Sequence, residues 1–167
     1  MKKSIKMAVL TAAAFTFMAG AGISVKAADS VAINEENFAP AVMEYAQEAD
    51  TNEDGFLSSK EASKVKKMRF DTRQYIDSFQ GIKYFKKLKQ FDYEVAEYQQ
   101  DMTAAPDLDL SGLKKLENVS IYSESMHIGT INLQNCTKLR QVGIVPDSEH
   151  IVYIDSMNLQ GCTNLDS

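Results

Sequence analysis

Leu110 to Ile121 reads L-S-G-L-K-K-L-E-N-V-S-I, and 23 residues later Leu133 to Ile144 reads L-Q-N-C-T-K-L-R-Q-V-G-I. Both stretches place apolar residues, or a cysteine, at the first, fourth, seventh, tenth and twelfth positions. The closing L-x-x-V-x-I recurs upstream as Leu88-x-x-Phe91-x-Tyr93 and as Val65-x-x-Met68-x-Phe70, so four copies are offset by 23, 28 and 23 residues. The approach to each copy repeats as well. Ile82, Phe85 and Leu88 match Leu110, Leu113 and Leu116, then Leu133, Cys136 and Leu139, then Leu159, Cys162 and Leu165, the last after an offset of 26. A short run in which alternate residues are apolar is a strand with one face buried. A single such strand leaves its apolar edge in water, so copies at this period predict coils that stack and bury one another.

The period and the L-x-x-L-x-L spacing are those of a leucine-rich repeat, and they place the repeats over residues 65–167. The copies are irregular, since Phe, Tyr, Val and Met stand where leucine is usual and no asparagine follows the strand. Tyr93 to Asp107 is an insertion that predicts a protruding loop or short helix. Residues between the apolar strand positions face the concave side of such a stack. There they gather Lys67, Arg69 and Asp71, then Gln90, Asp92 and Glu94, then Asn118, Ser120 and Tyr122, then Gln141, Gly143 and Val145. A mixed polar surface of this kind suits a protein or glycan partner, and it equally suits a strand face that simply meets water.

Ahead of the repeats, Asp50 to Glu61 reads D-T-N-E-D-G-F-L-S-S-K-E. Calcium takes six to eight oxygens at about 2.3 to 2.6 Å, so a short segment that binds it must fold back on itself while offering oxygen at intervals. Asp50, Asn52 and Asp54 stand at the first, third and fifth places, and Gly55 at the sixth allows the sharp turn. The Phe56 carbonyl, the Ser58 hydroxyl and the Glu61 carboxylate complete the ligand set of an EF-hand loop, with Leu57 anchoring it to a core. Pro40 opens an entering helix whose apolar side is Val42, Met43 and Ala46. An exit helix begins at Ser58 or Ser59. Ser58 and Glu61 also match a capping box, which sets two uses of one carboxylate in competition; the metal is the expected one.

Residues 1–27 have the form of a secretion signal: Lys2, Lys3 and Lys6, then an apolar run from Met7 to Val25, then the small-residue site Val25-Lys26-Ala27. No membrane span is expected after cleavage. Without Lys2, Lys3, Lys6 and Lys26, the 18 basic residues fall to 14 against 23 acidic, a net charge of −9. That balance disfavours nucleic acid and anionic membrane as partners. Cys136 and Cys162 share a column of successive coils, so they are either two small buried hydrophobes or, in an oxidising compartment, a disulfide between coils. His127 and His150 lie 23 apart, each followed by Ile, so they are expected in register on successive coils, as edge residues rather than metal ligands. Asp107 and Asp109 belong to an alternating strand face. With no Gly-rich phosphate loop, G-x-S-x-G or H-E-x-x-H, an enzyme is not expected.

Assembled, the chain resembles a group of secreted bacterial surface proteins whose mature N-terminus runs I-N-E-x-N-F, then a helix, a calcium loop and leucine-rich repeats. The matching residues are Ile33-Asn34-Glu35-Glu36-Asn37-Phe38, Asp50 to Glu61, and Phe79-Gln80-Gly81-Ile82-Lys83-Tyr84-Phe85. Where that family has Pro-Asp after the Phe, this chain has Ala39-Pro40. The loop also resembles half of a dockerin, but a second loop is absent from the sequence. The expectation is therefore an α/β repeat protein: a short irregular leucine-rich-repeat solenoid with an EF-hand-like helix-loop-helix cap over residues 28–64. Its function is expected to be that of a secreted, cell-surface-associated binding module whose Ca²⁺ is structural. The alternative is an accessory region of a larger secreted enzyme or adhesin. The final coil, lacking a polar cap, is expected to be covered by further chain, by a partner or by a second copy.

Overall fold

Four of the strands pair in parallel at the offsets 23, 28 and 23. In the computed structural model, which describes residues 30–72, 76–95, 106–123, 126–146 and 151–166, β3 (Lys67–Thr72), β4 (Gln90–Val95), β6 (Asn118–Ser123) and β8 (Gln141–Pro146) form one sheet in that order. Their register sets Met68 beside Phe91, Val119 and Val142, and Phe70 beside Tyr93, Ile121 and Ile144. A second parallel sheet holds β5 (Leu108–Asp109), β7 (Met126–Asn132) and β9 (Val152–Asn158). The chain is thus a parallel β-solenoid of about three turns, each turn giving a strand to each sheet. The segment 1–27, most of the insertion and His150 lie outside the described residues.

The core lies between the sheets and the turns that join them. Met68, Phe91 and Val119 point inward from the first sheet, and Leu108, Ile128 and Ile131 from the second. The turn columns Ile82, Phe85, Leu88 and Leu110, Leu113, Leu116 and Leu133, Cys136, Leu139 are all buried, as the repeat spacing requires. Stacking is also read in the backbone: Lys89 N donates to Lys66 O, Glu117 N to Lys89 O, Arg140 N to Glu117 O and Asp166 N to Arg140 O, at 2.8 to 2.9 Å. Each coil after the first turns at a left-handed residue: Gly112 (φ 70°), Asn135 (φ 62°) and Gly161 (φ 80°). Asparagine substitutes for glycine there because its short polar side chain tolerates that conformation.

At the front end the first coil is filled with aromatics. Phe79 meets Phe70, Phe91 and Tyr93 at centroid distances of 5.4, 5.5 and 5.2 Å, mostly edge to face. Over this cluster lies α1 (Pro40–Ala49), which begins with proline in its first turn and buries Val42, Ala46 and Ala49. The turn before it is built by Asn34, whose Oδ1 accepts from Asn37 N and Nδ2 at 3.2 and 3.0 Å. That turn delivers Phe38, fully buried, onto Tyr84 and Phe85. Gly81 (φ 95°) makes the fit possible: a Cβ there would sit 2.3 Å from the Phe38 ring.

α1 also closes the sheet edge. The Tyr45 hydroxyl accepts from Arg69 N at 2.8 Å and donates to Arg69 O at 2.7 Å, so one side chain occupies both edge-facing backbone groups of Arg69 in the middle of β3. Beyond α1 come β2 (Phe56–Ser58) and a single helical turn, α2 (Ser59–Ala62). β2 pairs antiparallel with β1 (Ser30–Ala32), Val31 standing opposite Leu57.

Candidate metal centre

The loop from Asp50 to Glu61 is held by its own acids. Asp50 closes α1, its N–H donating to Ala46 O at 3.0 Å, and its Oδ2 accepts from Gly55 N at 2.9 Å. The chain passes through two left-handed residues, Glu53 (φ 57°) and Gly55 (φ 77°), to make that return. Asp54 Oδ1 accepts from Phe56 N at 2.9 Å, and its Oδ2 accepts from Asn52 Nδ2 at 2.9 Å. The glycine is needed for the backbone angle alone, since a Cβ there would meet nothing within 4 Å.

β1 fixes the second half of the loop. Ile33 N donates to Gly55 O at 3.0 Å, so that pair is a hydrogen-bonded one. Pairs in an antiparallel ladder alternate, which leaves Ala32 opposite Phe56 as a non-bonded pair. The Phe56 carbonyl therefore points away from β1, where a ligand of the seventh place should point. Leu57, 2 % exposed, enters the core on the other face, while the Phe56 ring is 47 % exposed.

Glu61 sits across the loop's two ends, 6 % exposed. Its Oε2 accepts from Ser58 Oγ at 2.7 Å and Ser58 N at 3.1 Å; its Oε1 accepts from Thr51 N at 3.0 Å and Thr51 Oγ1 at 3.1 Å. Glu61 N donates in turn to Ser58 Oγ at 3.3 Å, which completes the capping box of α2. The hydrogen bond from the Ser58 hydroxyl, aided by the amides of Ser58 and Thr51 and opposed by burial, holds the Glu61 carboxyl at about 2. In this arrangement the carboxylate serves the cap, the use that the sequence ranked second.

One acidic oxygen has no such partner. Asp50 Oδ1 is buried and accepts no hydrogen bond. A buried acceptor left unpaired costs about 1 to 3 kcal/mol, and more when charged, so this oxygen calls for a partner such as a water or a cation. A cation beside Asp50 would answer that need, and the donor set around it suits calcium: carboxylates, an amide, a carbonyl and a hydroxyl, all oxygen. Among the described residues, no three His, Cys, Asp or Glu side chains converge on one point. Asp50, Asp54 and Glu61 are each turned toward donors within the loop.

On the outward face of the first sheet the rows fall in the expected order. Lys67 lies beside Gln90, Asn118 and Gln141, and Arg69 beside Asp92, Ser120 and Gly143. Its charges pair with one another, Lys67 with the largely covered Asp92 at 3.0 Å and Arg69 with Glu94 at 2.6 Å, and the second pair, exposed on both sides, contributes little. Toward the last coils the face turns apolar, with Tyr122 44 % and Val145 48 % exposed. The histidine register needs correcting. His127 stands beside Tyr153, because the connection after β8 is three residues longer than that after β6, so the second sheet advances by 26. His127 Nε2 lies 2.7 Å from Asp155 Oδ1. Cys136 is buried and Cys162 half-buried, both thiols are free, and each donates to a carbonyl of the coil before: Leu110 O at 3.2 Å and Leu133 O at 3.1 Å. Burial, with Cys162 adding to it, pushes the Cys136 thiol up to about 11.

Sequence reasoning missed Thr51, Tyr45 and β1. The first two hold their partners with hydroxyls that no spacing rule assigns, and β1 is only three residues long. The chain matches no protein-family model, no curated protein and no solved structure.

Proposed function

We propose that this chain is a secreted leucine-rich-repeat binding module whose EF-hand-like cap, Asp50 to Glu61, takes one structural Ca²⁺. The observation that carries the reading is the buried, unpartnered Asp50 Oδ1 at the first ligand place of the loop. Asp50, Asn52, Asp54, the Phe56 carbonyl, Ser58 and Glu61 would hold the ion. Bound there, calcium supplies a divalent charge that offsets the acids gathered in the turn. A lone loop usually lacks the second loop that would brace it, and here β1 takes that place by pairing with β2. Because an ion that binds only the folded loop adds its binding energy to stability, calcium should act as a fastener between cap and solenoid.

The concave face is read as the partner surface, for a protein or glycan, its apolar end at Tyr122 and Val145 providing contact area. The last coil leaves Ile144, Val152, Ile154, Met157 and Leu165 half-buried. These side chains offer a surface for further chain, a partner or a second copy to cover, and sedimentation of the purified protein across concentration tests for the second copy. The calcium reading is tested by thermal melting in millimolar Ca²⁺ and in chelator. It expects a higher midpoint with the ion, abolished in Asp50→Ala; equal midpoints in the wild type would end it.

A further inference from the structure

The geometry points to Thr51 as an intramolecular competitor that sets how tightly this loop takes calcium. The inference rests on the calcium reading above and concerns a residue that is not itself a ligand. A carboxylate has about four lone-pair sites, and all four on Glu61 are filled: two by backbone amides, of Thr51 and Ser58, and two by the hydroxyls of the same residues. To grip an ion with both oxygens, Glu61 must release two of its four donors. The amides are fixed by the chain path, so the hydroxyls are the ones to leave.

The two hydroxyls are not equivalent. Ser58 occupies a ligand place, and its hydroxyl can turn from Glu61 to the ion or to a water on it. Thr51 Oγ1 occupies no ligand place, and its hydrogen bond is lost without replacement in the site. It is also held from behind. Lys64 Nζ donates to Thr51 Oγ1 at 3.1 Å, which occupies the hydroxyl's lone pair and leaves its hydrogen for Glu61. Lys64, Thr51 and Glu61 therefore form a latch that closes the loop from both ends without metal. Calcium has to open it.

The test is isothermal titration of the mature chain with CaCl₂, beside chelator melts, for wild type, Thr51→Val, Thr51→Ser and Lys64→Gln. Thr51→Val removes the hydroxyl at nearly constant shape. It should bind calcium about fivefold more tightly, the equivalent of one net hydrogen bond of about 1 kcal/mol. Its melting midpoint in chelator should fall. Thr51→Ser restores the hydroxyl and should match the wild type in both. Lys64→Gln, altered at a solvent-facing side chain, should shift both in the direction of Thr51→Val, and it stands in for that variant if the latter does not fold. Wild-type binding with unchanged or weaker affinity in Thr51→Val and Lys64→Gln overturns the latch and leaves the calcium reading intact. No heat from any variant overturns both.

Discussion

Replacing Tyr45 with Phe isolates the way α1 ends the first sheet. The ring stays, with its edge-to-face contact on Phe70 at 5.3 Å, and only the hydroxyl goes. Two hydrogen bonds to the backbone of Arg69 disappear with it. A net hydrogen bond contributes about 0.5 to 1.5 kcal/mol, and water can reach this edge to replace part of each, so the loss should be about 1 to 2 kcal/mol. For a chain of this size that lowers the melting midpoint by about 2 to 8 °C. Circular dichroism melts of the two proteins, in calcium and in chelator alike, make the measurement. Exposing a strand edge also invites pairing with another chain, so the variant should sediment faster than the wild type at high concentration. A midpoint within about 1 °C of the wild type, with unchanged sedimentation, would show that the hydroxyl does not guard this edge and that apolar packing of α1 alone does.

Gly112→Ala should lower stability by about 1 to 2 kcal/mol through backbone strain, and Gly112→Asn by less, because Asn135 already occupies the same place one coil on; chemical denaturation of both variants decides the order. Acid should loosen the cap in chelator. The Glu61 carboxyl falls from its ordinary 4.5 to about 2 on folding, so its contribution is fully present above pH 4.5 and is lost as pH drops toward 2. Melts over that window should steepen for the wild type relative to Glu61→Gln. With both thiols raised by burial, alkylation at pH 8 should spare Cys136 in the native protein, label half-buried Cys162 slowly, and reach both under denaturant, as counted by mass spectrometry.

The sequence carried the first sheet to the residue and the second hardly at all, for a physical reason that lies in the strands themselves. In β3, β4, β6 and β8 every second residue points inward, and a strict period of two fixes register, since a slip by one would turn each apolar side chain to water. In β7, Ile128 and Ile131 both point inward, three residues apart, so the alternation breaks. β5 is only two residues long. The longer connection after β8 then displaces the register from 23 to 26, which is how His127 came to stand beside Tyr153 rather than beside its look-alike.

The loop was legible for a related reason and opaque for another. Asp50, Asn52, Asp54 and Gly55 are fixed by local turn geometry, which spacing encodes directly, and the structure closes the loop with those same residues. Glu61 is different because two structures ask for the same three-residue step, a capping box from Ser58 and a ligand at the twelfth place, so the spacing is identical in both. What separates them is the set of donors that surrounds the carboxylate. Two of those four come from Thr51, ten residues earlier and at no constrained position. The choice of the cap is thus written into side chains that neither pattern names. On the proposed calcium reading, the loop's affinity would then be tunable without touching a ligand, which a ligand pattern alone would never indicate.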